Sequence, residues 1–313
     1  MVGSSEHESI RNSPVLHNAL GSASAGIIAR LFTHPLDTAK ARLMNQSSSF
    51  RGPADVFRTT LATEGFRGLY RGFGTVLIGG TPGTMLYLCS YDFIKQSAQN
   101  NEEFYVHFSA GMLAEAIACV VYVPVDVIKE RLQVQSPAST KDGISYKNGW
   151  DALIKIQQTE GIRGIYRGYG ATLASFGPFS ALYFMFYEQL KMESTKRLDL
   201  DRQDLPFHWT VGCTCAAGAV ASWLTSPLDM AKLRLQVQRA AQHNLTTSNT
   251  TADLTYNGMI QCLQSAYKIG GVKELFRGAG ARVLHFAPAT TITMTCFETF
   301  RTFFARSLSS TER

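Results

Sequence analysis

Six long apolar stretches alternate with polar segments along the chain, at Val15–Leu36, Phe73–Tyr91, Phe104–Val125, Tyr169–Tyr187, Phe207–Leu228 and Val283–Phe297. About 20 apolar residues cross the hydrocarbon core of a bilayer as a helix, and a water-soluble core rarely holds six such runs. The second, fourth and fifth contain no Asp, Glu, Lys or Arg, whereas the first contains Arg30 and the third Glu115. The sixth is short before its charged end and needs residues 278–282 to complete a span. The pattern predicts an all-α membrane protein with six transmembrane helices.

The same pattern divides into three units of roughly 100 residues, 1–99, 100–203 and 204–313, and internal repeats outrank length as a guide to domain count. Three motifs recur in each unit in a fixed order. The first ends the odd-numbered apolar runs: Pro35-Leu36-Asp37-Thr38-Ala39-Lys40, Pro124-Val125-Asp126-Val127-Ile128-Lys129 and Pro227-Leu228-Asp229-Met230-Ala231-Lys232, each with a second base at Arg42, Arg131 or Arg234. The second begins Glu64-Gly65 and Glu160-Gly161; its third copy, Gly270-Gly271, lacks the leading acid. The third closes the even runs at Tyr91-Asp92 with Lys95, Tyr187-Glu188 with Lys191 and Phe297-Glu298 with Arg301. From the second motif to the third is 28 residues in every unit, while the preceding interval varies from 29 to 36 to 43. All length variation therefore falls in one polar loop per unit, the longest being Arg239–Tyr256.

Composition changes the picture only modestly. Charged residues make up 17% of the chain, the net charge is +6, and the mean hydropathy is −0.04. That mean fits spans wetted on one side and joined by polar loops. The positive balance suits anionic lipid or an anionic solute as much as an unspecific basic surface. The six cysteines show neither metal nor disulfide spacing. Two acids precede the first arginine, so the start reads as neither a signal peptide nor an Arg-rich transit peptide. No nucleophile–base–acid set or phosphate-binding loop appears, which disfavours an enzyme, and nothing calls for a cofactor or nucleic acid.

Three motifs in fixed order, three times over, closely resemble the mitochondrial carrier family from about Val15 to Arg306. The resemblance implies a multi-pass protein of the mitochondrial inner membrane, acting as a monomer, with a short matrix helix in each unit and a lipid partner such as cardiolipin. It implies that the odd helices kink at their prolines and converge on the matrix side. There the pairs would be Asp37 with Lys129, Asp126 with Lys232 and Asp229 with Lys40, braced by Gln133 and Gln236, with Met44 in the brace position of the first unit. A second ring at the cytoplasmic end would pair Asp92 with Lys191, Glu188 with Arg301 and Glu298 with Lys95, braced by Tyr91 and Tyr187. Two such rings, closing in turn, make an alternating gate.

Symmetric residues run such a machine, so a solute without threefold symmetry is read where the units differ. Three residues before Pro82, Pro178 and Pro288, at the family's usual contact points, stand Gly79, Ser175 and His285; Phe176 follows the second. Their lack of arginine argues against a di- or tricarboxylate. Arg30 faces the cavity, or else snorkels or pairs with a neighbouring acid, because lipid strongly disfavours a bare charge. Glu115 interrupts the small residues Ser22, Gly26, Gly111, Thr214 and Gly218. The run Gly111–Pro124 around it resembles the S-adenosylmethionine carriers and carriers linked to magnesium. The expected site is Arg30, Gly79, Glu115, Ser175, Phe176 and His285, taking a zwitterionic or cofactor-like solute such as S-adenosylmethionine. Two alternatives stay open: a divalent cation held by Glu115 and His285, and a carrier-fold adaptor that no longer transports.

Overall fold

The computed structural model describes residues 14–45, 50–97, 104–135, 145–198, 205–238 and 256–286, with 288–289, 291–292 and 295–296 beyond them. Among these residues the regular structure is entirely helical. The first unit consists of α1 (Pro14–Met44), α2 (Pro53–Glu64), α3 (Phe66–Leu69) and α4 (Phe73–Ser97). The second consists of α5 (Phe104–Val134), α6 (Gly149–Ile165) and α7 (Tyr169–Leu198). The third consists of α8 (Phe207–Leu224), α9 (Ser226–Val237) and α10 (Met259–Leu275), followed by α11 over 279–286. The first two units thus read long helix, short helical segment, long helix, while in the third the first long helix is broken in two.

The punctuation of each unit is local chemistry. Gly65, Gly161 and Gly271 take φ of 67°, 64° and 62° and turn the short helix sharply, a left-handed conformation that a side chain resists. Each of these short helices turns an early side chain back to an amide that precedes it, and only α6 adds a side-chain N-cap, the cap positions of α2 and α10 being Gly52 and Gly258. Asn148 accepts the Asp151 amide at 2.9 Å while Asp151 accepts the Lys147 amide at 2.8 Å, a reciprocal capping arrangement. Asp55 and Gln261 do the same for the amides of Arg51 and Asn257.

The prolines act unequally. Pro35 and Pro124 lie inside continuous helices, whereas the third odd run breaks at Thr225 into α8 and α9, bent by 64°. Pro227 brings no amide to continue the ladder, and the last carbonyls of a helix lack partners within it. Arg282 from α11 donates to the Ser222 carbonyl at 3.2 Å and to Thr225 Oγ1 at 3.0 Å, satisfying the broken end.

By length and apolar composition one described helix, Phe108–Val134, is able to cross a membrane unaided, and α8 with α9 passes only as a bent pair. Six separate spans are therefore not established on this measure. The long even helices α4 and α7 carry Gly, Ser, Thr and Pro among their apolar residues, which lowers their hydropathy while their outward faces stay greasy: Ile78, Met85, Phe93 and Phe184 are exposed. Residues 287, 290, 293, 294 and 297 of the expected sixth stretch lie outside the described residues, as do Glu298 and Arg301 beyond it and most of the 239–256 loop.

The three odd helices converge at one end. Met44 of α1, Val134 of α5 and Met230, Leu233 and Val237 of α9 share an apolar cluster there. α4 packs along α5 and α7 along α8, so the first unit leans on the second and the second on the third.

Candidate functional site

Where the odd helices converge, each aspartate three residues before a lysine projects on the same side of its helix and meets the neighbouring unit. Lys129 Nζ lies 2.5 Å from Asp37 Oδ2, Lys232 Nζ 2.8 Å from Asp126 Oδ2, and Lys40 Nζ 2.6 Å from Asp229 Oδ2. Each pair joins two units, and the three close a cycle around the bundle axis. Two further charges break the symmetry. Glu130 Oε1 lies 3.5 Å from Lys129 Nζ, and Arg282 Nε lies 3.4 Å from Asp229 Oδ2. The added acid and base balance, leaving the ring close to neutral.

The two glutamines do not hydrogen-bond to the ion pairs. Gln133 donates to Thr38 Oγ1 at 3.2 Å and Gln236 to Thr172 Oγ1 at 3.4 Å. Met44, in the matching position, is fully buried against the apolar cluster. All three fill the same kind of space; polarity there serves helix-to-helix packing.

Behind the ring lies a second layer that sequence reasoning had not singled out. Arg42 grips Glu64 with two nitrogens at 2.6 and 3.0 Å and donates Nε to the Gln133 carbonyl of the next unit at 2.9 Å. Arg131 repeats this with Glu160 and the Gln236 carbonyl, whereas Arg234 reaches Glu274 through Nη2 alone and donates Nε to the Met44 carbonyl at 3.1 Å. The available signal was the second base of the first motif together with the acid opening the second.

A cavity of about 460 Å³ opens onto the ring, with Asp37, Asp126 and Lys129 in its floor and Arg30, His34, Tyr122 and His285 in its wall. Arg30 Nη1 donates to the Val76 carbonyl at 3.0 Å, lying across α4 where Gly80 leaves room. His285 Nδ1 lies 3.3 Å from the Thr33 carbonyl, and His34 Nε2 3.1 Å from that of Arg71. Of the six expected contact residues, only Arg30 and His285 line this cavity. Gly79 packs on Val125 and lines an outer groove instead. Ser175 is buried and spends its hydroxyl on the Thr172 carbonyl at 3.2 Å. Glu115 is buried and accepts the Cys119 thiol at 3.6 Å, while Phe176 is half-buried on α7. His34 and Tyr122 were missed because a histidine beside a proline and a tyrosine in an apolar run carry no distinguishing pattern.

At the opposite end the arrangement differs. Asp92 and Glu188 are exposed, and among the described residues no ion pair joins Asp92 to Lys191, whose ammonium instead lies 5.8 Å from the centre of the Tyr187 ring. Tyr91 stacks on Tyr87, and Lys95 is half-exposed on the same helix. Glu298 and Arg301 lie outside the described residues. One end of the bundle is thus closed by three ion pairs and the other is not closed by Asp92 and Lys191.

Comparison with known proteins bears on this geometry. The family model described as "Mitochondrial carrier protein" matches three times, over residues 11–102, 100–197 and 203–308. The chain is 33% identical over 309 residues to mitochondrial substrate carrier family protein E of Dictyostelium discoideum, covering 95% of this chain and 98% of that one. It is 29% identical to an S-adenosylmethionine mitochondrial carrier protein homolog of Drosophila melanogaster, covering 88% and 89% of the two chains. Mitoferrin-1 of Danio rerio is 28% identical, with 92% and 86% covered.

Proposed function

Because this chain belongs to the mitochondrial carrier family, we propose that it carries a small solute across the mitochondrial inner membrane, crossing that membrane with six helices and working as a monomer. The observation behind this reading is a cavity holding Arg30 and His285 whose floor is a closed ring of ion pairs. Ion pairs that are partly buried gain little over their desolvation cost, so such a ring is a latch firm enough to shut and weak enough to open. Asp92 with Lys191, Glu188 with Arg301 and Glu298 with Lys95 form the opposing latch when the first is open. A solute bound between them shifts the balance by its differential affinity for the two states.

The cavity offers a guanidinium, carboxylates and the Tyr122 ring to one occupant. That mixture suits a zwitterionic, cofactor-like solute, and S-adenosylmethionine, named for the Drosophila melanogaster relative, is the first candidate. Arg30 takes the solute's carboxylate and His285 a second polar group. Gly79, Glu115, Ser175 and Phe176 act as contacts only after the helices rearrange. A second reading, a divalent cation held by Glu115 and His285, has the mitoferrin relative behind it, but Glu115 does not line the cavity with His285, and among the described residues no three of His, Cys, Asp and Glu group to hold a metal ion. A pure adaptor would have no need of a closed ring.

An outer groove of about 620 Å³ beside α4, α5 and α6 combines Arg67, Arg71 and Lys147 with Ile78, Leu132 and Trp150. Cations above an apolar wall suit an anionic lipid such as cardiolipin.

The experiment is uptake by purified full-length protein in proteoliposomes against a panel containing S-adenosylmethionine, amino acids and divalent cations, with Lys129→Ala as the inactive control. Saturable S-adenosylmethionine uptake that the control lacks supports the first reading, and uptake of the cation alone supports the second. No uptake and no thermal shift with any solute would sink transport in favour of the adaptor.

A further inference from the structure

The third unit lacks the acid that opens the second motif, yet Arg234 is buried and paired with an acid all the same, through one nitrogen where its two counterparts use two. Its partner, Glu274, sits four residues after Gly270, the position matching Glu64 and Glu160. The positions matching Glu274 in the other units are Gly68 and Gly164. The two residue types have been exchanged: acid then glycine in the first two units, glycine then acid in the third.

Sterics explain why the exchange is reciprocal. A side-chain carbon at Gly68 would lie 2.6 Å from Glu64 Cβ, one at Gly164 would collide with Glu160 Cβ, and one at Gly270 would lie 2.8 Å from Glu274 Cβ. Each pair of positions has room for one side chain, whichever member bears it. The surroundings are the same in each unit: Gly65, Gly161 and Gly271 make the same turn, and a second arginine (Arg71, Arg167 or Arg277) stands 3.3–3.6 Å from the carboxylate. We propose that Glu274 is the positioning residue that completes a threefold set of buried Arg–Glu clasps, and that each clasp accepts its acid from either of two positions one turn apart provided the other is glycine. The third clasp is the looser one, since its carboxylate is 18% exposed against 5% and 6% for Glu64 and Glu160.

The test reads folding and so does not depend on which solute is carried, or on transport at all. The full chain is purified in detergent and its thermal unfolding followed by tryptophan fluorescence. Glu274→Gly is expected to lower the midpoint by about 5 °C or more, and adding Gly270→Glu to it to recover at least half of the loss. Gly270→Glu combined with Glu274→Ala is expected not to recover, because two side chains then compete for one space. If Glu274→Gly yields no folded protein, recovery of folded protein by the exchanged double variant supports the proposal. An unchanged midpoint in Glu274→Gly, or a double variant no better than the single one, overturns it; equal recovery with Glu274→Ala overturns the either-or rule.

Discussion

A methyl group at position 80 would collide with the Arg30 guanidinium, which lies where glycine leaves α4 bare. Gly80→Ala is therefore expected to displace Arg30 from the Val76 carbonyl and raise the half-saturation concentration for solute at least tenfold, about 1.4 kcal/mol. Gly74→Ala, where an added carbon meets nothing within 4 Å, serves as the control in the same uptake assay. Glu160 carries a different kind of consequence. Both it and Arg131 are buried, and removing one member of a buried pair strands the other charge. Glu160→Gln is expected to cost about 3 kcal/mol, read as a lowered unfolding midpoint, with solute specificity unchanged among molecules that still fold. Arg30 and Glu115 show how far a residue-level signal reaches. Both are charges in apolar runs and equally conspicuous, yet one lines the cavity and the other is turned to Cys119 on its own helix.

At the scale of elements, caps and breaks decide where helices start and bend. Asn148 is the side-chain cap of α6, and Asn148→Ala is expected to cost about 1 kcal/mol while Asn148→Ser recovers most of it, both measured by thermal melts. Asp151 reinforces that start. Hydrogen bonds from the Lys147 amide and the Lys155 ammonium hold its carboxyl below the usual aspartate range. Its support is complete above that range and is lost as pH falls through the lowered value, so α6 should fray from its first turn in acid, visible as lower amide protection factors at 149–152 relative to the intrinsic exchange rate at each pH. The proline of each odd helix is legible as a kink, but which kink becomes a break is not. α8 and α9 separate where Arg282, 57 residues away from Thr225, is available to satisfy the exposed end.

For the whole molecule, the ring is the feature that joins all three units. Reversing one charge, as in Asp126→Lys or Lys232→Asp, places like charges together and is expected to reduce uptake to background. Combining the two restores an opposite pair across the same gap and should recover a substantial part of the rate in proteoliposomes. A double variant as inactive as either single one would mean that these residues act separately and not as a pair. The same ring explains why one end of the bundle narrows: three ion pairs and an apolar cluster hold the odd helices together, while Asp92 and Lys191 stand apart at the other.

The sequence by itself determined the threefold repeat and the helical class, which are written in local spacing: a Pro-x-Asp-x-x-Lys run ending each odd stretch, glycines at fixed turns, a constant 28-residue interval. Which aspartate meets which lysine was implied by the family resemblance and not by spacing. Tertiary structure alone decided which of the unsymmetric residues face a common cavity, because a side chain's neighbours across helices depend on helix rotation and bend, which spacing along one chain does not encode. It also decided that Glu274 replaces an acid missing one turn earlier. The space between Arg234 and the short helix is blind to which position fills it, and only the packed structure shows that a single side chain fits.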